Sequence, residues 1–165
     1  MKNVSAEFYI STPYGEFKAG YSENGLAEMS FPKSASAVRK VDDKQKPSAK
    51  IKGWHRLTEA ALKNYCAGKK PGKLPPLDFV GTDFQRSVWR EMIKIPYGKT
   101  KSYGDIAKAV RNPKAVRAVG GVCGSNPIPV FIPCHRVLAA NNKIGGFSSG
   151  LGWKTKLLEL EGIEL

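Results

Sequence analysis

Apolar residues near the start of the chain fall partly at two-residue intervals, the period of a strand with one buried face. Phe8 and Ile10, then Phe17, Ala19 and Tyr21, then Leu26, Met29 and Phe31 predict three strands. Asn24-Gly25 between the last two is a hairpin signal, because both residues accept positive φ at little cost. Residues 33 to 53 are polar and lysine-rich and predict a long irregular stretch. The period then changes. Trp54, Leu57, Ala61, Leu62 and Tyr65 share one helical face, with Gly68 as its stop. Lys69 to Pro76 (KKPGKLPP) predicts a linker, since proline and glycine punctuate structure.

Helical spacing dominates from Phe79 onward. Phe84, Val88, Trp89, Met92 and Ile93 mark a helix capped by Thr82 or Asp83 and ended by Pro96-Tyr97-Gly98. Ser102-Tyr103-Gly104-Asp105 is a capping box with Asp in place of the commoner Glu, opening a short helix with Ile106, Ala107 and Val110. Asn112-Pro113 predicts a turn and a new start, with Asn as cap and Pro at the first helical position of a helix reaching about Cys123. Two short helices joined by a tight turn form a helix-turn-helix pattern. Leu151 to Glu161 predicts a last helix, with Leu157, Leu158 and Leu160 toward the core. These elements predict an α+β chain in two domains. Residues 1–77 form a small α/β domain with antiparallel hairpins, and 78–165 a mostly helical one.

Composition narrows the class. The chain has 165 residues, 41% of them hydrophobic, which excludes wholesale disorder. Its apolar runs fall well short of the ~20 residues that span a bilayer, and Met1 to Glu7 carries no apolar segment of a secretory signal. Lys plus Arg is 27 against 14 for Asp plus Glu, a net charge of +13. That balance points to a polyanionic partner, nucleic acid by default, against the plainer reading of a basic protein without one. Between Lys94 and Arg117 there are 7 basic residues and one acid, Asp105. In the second helix of the pair, Ala115, Ala118, Gly120 and Gly121 are small beside the cations Lys114 and Arg117. Small residues let a helix approach a duplex closely; they also serve close packing inside a protein. Three cysteines without a CxxC pair exclude a disulfide framework and fit a reducing interior. With two histidines, His55 and His135, the sequence predicts no metal site. His55 and Cys66 read as packing or surface residues.

Candidate chemistry gathers at one cysteine. Pro127, Pro129 and Pro133 frame an apolar run that predicts a stiff, extended, buried segment ending at Cys134. A thiol needs a base or a positive field to become a thiolate. His135 is adjacent, but neighbouring side chains diverge, so a bridging water is easier than a direct bond. The competing reading is an inert buried cysteine. Glu161, before Gly162 at the end of the last helix, either orients His135 or belongs to a solvated patch with Glu159 and Glu164.

The second half resembles the O6-alkylguanine-DNA alkyltransferases, the methylated-DNA–protein-cysteine methyltransferases. Asn126-Pro127 through Ile132-Pro133-Cys134-His135-Arg136-Val137 is similar to their active-site signature. Further matching blocks are Phe84-Gln85, Val88-Trp89, Ile95-Pro96-Tyr97-Gly98, Ser102-Tyr103-Gly104, Arg117-Ala118-Val119-Gly120, Gly145-Gly146-Phe147-Ser148, and Leu157-Leu158 with Glu161-Gly162. Together they cover residues 80 to 163, whereas the first half matches in length and coarse pattern. The resemblance implies a ribonuclease H-like N-terminal domain and a helix-turn-helix C-terminal one. It implies single-turnover transfer of the alkyl group from O6-alkylguanine in double-stranded DNA to Cys134, with the base flipped out and no cofactor.

The implied roles follow the matching positions. His135 acts through water as base, Glu161 holds His135, and Asn126 braces the turn presenting Cys134. Arg117 fills the stack left by the flipped base, and Tyr103 crowds the neighbouring phosphate. Gln85, Asn112 and Ala140 meet DNA, joined on charge alone by the DNA-binding candidate Lys114, while Ser148 and its loop line the guanine pocket. Phe147 stands where Tyr is common, removing a hydroxyl, and Ser149 stands where Gly is frequent, which predicts a narrower pocket. The resemblance further implies a monomer in the cytoplasm, on the nucleoid, or in the nucleus of a eukaryote. The alternatives are a non-catalytic alkylated-DNA-binding or helix-turn-helix protein, and a cysteine hydrolase using Cys134, His135 and Glu161.

Overall fold

A computed structural model describes residues 3–33 and 45–165 of the chain. It divides into two compact units, Met1–Val80 and Gly81–Leu165.

In the first unit, β1 (Ala6–Thr12), β2 (Gly15–Ser22) and β3 (Gly25–Ser30) form an antiparallel sheet in that order. Phe8 pairs with Ala19 and Ile10 with Phe17. The central strand is buried over most of its length, from Phe17 and from Ala19 to Ser22. The β2–β3 hairpin turns on Glu23-Asn24, one residue earlier than predicted, because Ser22 pairs with Gly25. Gly25 instead answers to close approach: a side chain there would meet the Pro76 carbonyl at 2.2 Å. Leu26 N donates to that carbonyl at 2.8 Å, and Asp78 N donates to Leu26 O at 2.7 Å. The end of the predicted linker is thus docked along β3. Helix α1 (Ala49–Cys66) packs on β1 and β3, with Ala61, Leu62 and Tyr65 buried. It starts inside the stretch predicted as irregular, because Ser48 caps the Ile51 N–H and the polar residues Lys50 and Lys52 lie on its exposed face. Residues 34–44 of that stretch lie outside the described residues. His55 stacks on Phe8 and shares a hydrogen bond with the Tyr21 hydroxyl at 3.1 Å, and Cys66 is buried.

The second unit holds α2 (Asp83–Ile93), β4 (Lys101–Ser102), α3 (Tyr103–Ala109), α4 (Val116–Gly124), β5 (Val137–Leu138) and α5 (Leu151–Leu160). Thr82 and Gln85 cap α2 reciprocally, as Ser102 and Asp105 cap α3. Val88, Trp89 and Met92 face inward, whereas Ile93, expected with them, is exposed in the last turn. Helix α4 begins three residues after Pro113. Arg111 takes a left-handed φ of 60° and Ala115 N donates to Asn112 O, so Asn112-Pro113 closes a turn rather than a helix start. Strands β4 and β5 pair in parallel, Lys101 with Val137 and Ser102 with Leu138. That short ladder sets the first residue of α3 beside the chain that follows Cys134. Among the described residues, no helix is long and apolar enough to cross a membrane.

Candidate active site

Cys134 opens a single 3-10 turn, Cys134–Arg136. The segment before it is buried as predicted but not extended. Ile132 N donates to Ile128 O at 2.8 Å, and Val130 takes a φ of 76°. Each proline fixes its own φ alone, so the residues between them are able to turn. A left-handed φ on a β-branched residue costs about 1–3 kcal/mol and persists where the surroundings over-determine it. Asn126 is part of those surroundings. Its Nδ2 donates to Ile132 O at 2.6 Å and to Cys134 Sγ at 3.0 Å, while Oδ1 accepts from Ile128 N at 2.9 Å. One amide therefore fixes the loop and the sulfur together.

The His135 ring points away from that amide. Its Nε2 lies 2.6 Å from Glu161 Oε1. Glu161 caps the C-terminus of α5 and is buried, whereas Glu159 and Glu164 are exposed. Arg136 Nε donates to Glu161 Oε1 at 3.0 Å and Oε2 at 2.9 Å, and Nη2 donates to Oε1 at 2.9 Å. Gly98 N donates to Oε2 at 2.9 Å. Burial pushes the Glu161 carboxyl up, but the hydrogen bonds from His135 and Arg136, the His135 ring's charge and the Gly98 N–H outweigh it and hold the group at about 2. Burial pushes His135 below the ordinary histidine value, against the opposing pull of Glu161. At neutral pH the ring is uncharged, and an ionised carboxylate that Arg136 balances orients it; the ring takes up a proton only as pH falls.

Cys134, 4% exposed, lines a cavity of about 600 Å³ together with Tyr103, Arg117, Cys123, Phe147 and Ser148. Arg117 is exposed on α4, so the cavity leads from the sulfur to an exposed cation of the second unit. Two thiols thus share one cavity, and their surroundings separate them. Cys123 is held at about 12 by burial and the nearby Cys134, and it donates to Met92 Sδ at 3.6 Å. Burial also pushes the Cys134 thiol up, but its sulfur accepts the Asn126 hydrogen bond and lies in the field of Lys154. Hydrogen bonds to the charged form favour that form. Gly145 is required opposite Tyr103: its φ is 70°, and a side chain there would meet the Tyr103 hydroxyl at 3.1 Å. Burial and the two nearby thiols push the Tyr103 hydroxyl above its ordinary value.

The remaining predicted positions stand outside the cavity. Gln85 is spent on the α2 cap, with Nε2 3.4 Å from Ser125 Oγ. Asn112 and Lys114 are exposed in the turn before α4, and Ala140 is exposed in a 3-10 turn, Ala140–Asn142. Ser149 is exposed and is not part of the cavity lining. Among the described residues no group of three or more His, Cys, Asp or Glu is placed to hold a metal ion.

Residues 83–163 match the model of the 6-O-methylguanine DNA methyltransferase DNA binding domain. A methylated-DNA–protein-cysteine methyltransferase of Methanosarcina acetivorans is 40% identical over 155 residues, spanning 93% of this chain and 96% of the relative. The chain belongs to the methylated-DNA–protein-cysteine methyltransferase family. An inducible member from Bacillus subtilis is 40% identical over 161 residues, spanning 93% of this chain and 83% of the relative. The crystal structure of Mycobacterium tuberculosis OGT in complex with DNA superposes with a TM-score of 0.77 at 35% identity, over 94% of this chain and 91% of that one.

The matched region holds every candidate position from Gln85 to Glu161. Three side chains at or behind this cavity have no role in the sequence reading. Arg136 sits in the quoted signature but received no role; its signal was a charge within an apolar run. Cys123 enters the sequence reading only as the approximate end of a predicted helix. Lys154 lies on the core side of α5, four residues before Leu158, where a lysine is out of pattern.

Proposed function

We propose that this chain repairs O6-alkylguanine in double-stranded DNA by moving the alkyl group to Cys134 Sγ, once per molecule. The sulfur attacks the alkyl carbon, the carbon–O6 bond breaks, and its electron pair stays on guanine, which takes up a proton. A thioether remains on Cys134 with no leaving group, so the chain is consumed. The observation that carries this reading is the sulfur itself: almost fully buried, held by Asn126, and facing a cavity that also holds the exposed Arg117. A base stacked in a duplex does not reach such a sulfur, so the nucleotide is flipped into the cavity at a cost of a few kcal/mol. His135, held by Glu161, takes the thiol proton through a water on the side of the ring that faces away from the carboxylate. Tyr103 lines the cavity where its hydroxyl meets the base.

We read α3 and α4 as a helix-turn-helix and α4 as the element nearest the DNA. Arg117, Ala118, Gly121 and Gly124 are exposed on α4. A side chain added at Gly120, Gly121 or Gly124 meets nothing within 4 Å, so packing inside the protein does not ask for glycine there. Low relief favours close approach of the helix, which lets Arg117 enter the vacated stack. The run of 7 cations between Lys94 and Arg117 supplies sequence-independent contacts to phosphate, which weaken as salt rises. The first unit, three antiparallel strands followed by a helix, suits a ribonuclease H-like scaffold. The place of action is the cell's DNA, in cytoplasm or nucleus.

Transfer of a labelled methyl group from O6-methylguanine duplex to protein tests the reading. Label should plateau at one methyl per chain and vanish in Cys134→Ala, which should still bind the duplex. Repeated turnover, or transfer by Cys134→Ala, contradicts it.

A further inference from the structure

The first unit carries a concentration of positive charge that the alkyl transfer does not use. Residues 45–77 hold 8 basic residues and one acid, Glu59, whereas the rest of residues 1–80 holds 6 basic residues and 7 acids. The excess therefore sits on α1 and the segment that follows it. Within α1, Lys52, Arg56 and Lys63 are all exposed. At 3.6 residues per turn and 1.5 Å per residue, they fall within about 40° of one another and form a row about 16 Å long. Ala60 is exposed between them and adds no bulk. Lys69, Lys70 and Lys73, also exposed, carry the charge past the end of the helix.

The fold gains little from this arrangement. Lys63 pairs with Glu59 at 2.8 Å, but Lys52, Arg56, Lys69, Lys70 and Lys73 make no ion pair among the described residues. The first turn of α1 holds no acid, so Lys52 stands at the positive end of the helix dipole. Lys52 and Arg56 are four residues apart, the spacing at which like charges on a helix repel. A polyanion laid along the row relieves both effects. The row also selects among polyanions. A helix that lies on lipid turns large apolar side chains to the bilayer, whereas the apolar side of α1, with Leu62 and Tyr65, is buried. Single strands are held by stacking on aromatic rings, and the row has none. A duplex presents one charge per about 3.4 Å on each strand, so the row spans about five phosphates.

We propose that the exposed row Lys52, Arg56 and Lys63 on α1, extended by Lys69, Lys70 and Lys73, is a second binding surface for the phosphate backbone of duplex DNA. It adds sequence-independent affinity to that of the second unit and takes no part in the chemistry at Cys134. This rests on the reading of duplex DNA as the substrate. Two paired variants separate charge from helix structure. Lys52→Gln with Arg56→Gln removes two cations from exposed helical positions, and Lys52→Arg with Arg56→Lys keeps both.

Affinity for an undamaged duplex is followed by fluorescence anisotropy from low to high salt. In the double Gln variant, the slope of log affinity against log salt should shrink by about two, with weaker binding at low salt. The charge-keeping variant should retain the wild-type slope. Both should react with free O6-benzylguanine at the wild-type rate. A folded Gln variant with the wild-type slope overturns the inference, and so does an equal loss of slope in the charge-keeping variant. A Gln variant that loses binding to phosphatidylserine vesicles or single-stranded RNA, while its duplex slope stands, places the partner elsewhere and overturns it too. Wild-type protein that takes up no alkyl group removes the transferase reading itself. Wild-type transfer with an unchanged slope in the Gln variant removes this inference alone.

Discussion

Arg136 closes on Glu161 through three guanidinium–carboxylate contacts of 2.9 to 3.0 Å, so the carboxylate that orients His135 is itself neutralised. The trio behaves as one unit. Glu161→Gln leaves a buried guanidinium without its counter-charge, and breaking a buried pair from one side costs about 3–5 kcal/mol. Urea unfolding should show a loss of that size, and alkyl transfer should fall with it. A variant as stable as the wild type contradicts the pairing.

The same trio fixes the response to acid. Glu161 sits at about 2 in the folded chain against an ordinary 4.5, so its contribution is complete above 4.5 and disappears as pH falls toward 2. His135 is also depressed, so the unfolded chain takes up its proton first and stability begins to fall below the ordinary 6.5. Stability measured against pH should decline from about neutrality down through this window. In Glu161→Gln, the slope below 4.5 should flatten. Equal slopes in both proteins count against a depressed Glu161.

Asn126→Ala removes three hydrogen bonds at once, two that hold the loop and one on the sulfur. Leaving a buried Ile128 N–H and Ile132 carbonyl unmet costs about 1–3 kcal/mol for each group. The thiolate loses a donor, so the rate at neutral pH should drop and the pH midpoint for Cys134 reactivity should rise. A slower rate with an unchanged midpoint assigns Asn126 to loop support alone.

Arg117→Ala separates base extrusion from chemistry. Arg117 is exposed and lines the mouth of the cavity, away from the Asn126 contact on the sulfur. Repair of duplex O6-methylguanine should slow far more than reaction with free O6-benzylguanine. Equal losses on both substrates speak against a wedge.

Gly121 tests the low relief of α4. Leucine is a better helix former than glycine by up to about 1 kcal/mol, and the position opens to space. Gly121→Leu should therefore hold or raise the unfolding temperature while weakening duplex binding. Unchanged affinity would show that this face does not approach DNA.

Much of this was readable from residue order. Strand and helix periods located nearly every element, and the proline-framed Cys134 shares a cavity with Tyr103, Arg117 and Ser148, three of the positions named with it. The shortfalls have local causes. Hairpin register moved Gly25 out of the turn and onto β3, where backbone packing against Pro76 decides it. Prolines suggested an extended strut, but the Asn126 clamp imposes a turn at Val130. Arg136 and Lys154 stand out of the apolar pattern around them, but residue order does not say which partner a buried charge meets. Glu161 could not be told from Glu159 and Glu164 until α5 was placed.

The central claim is tested most directly by peptide mass mapping after incubation with O6-methylguanine duplex. The account predicts a gain of one methyl in place of one hydrogen on the peptide carrying Cys134, with Cys123 and Cys66 unmodified. A methyl group on Cys123, or an unmodified Cys134 after the lesion has disappeared from the DNA, contradicts it.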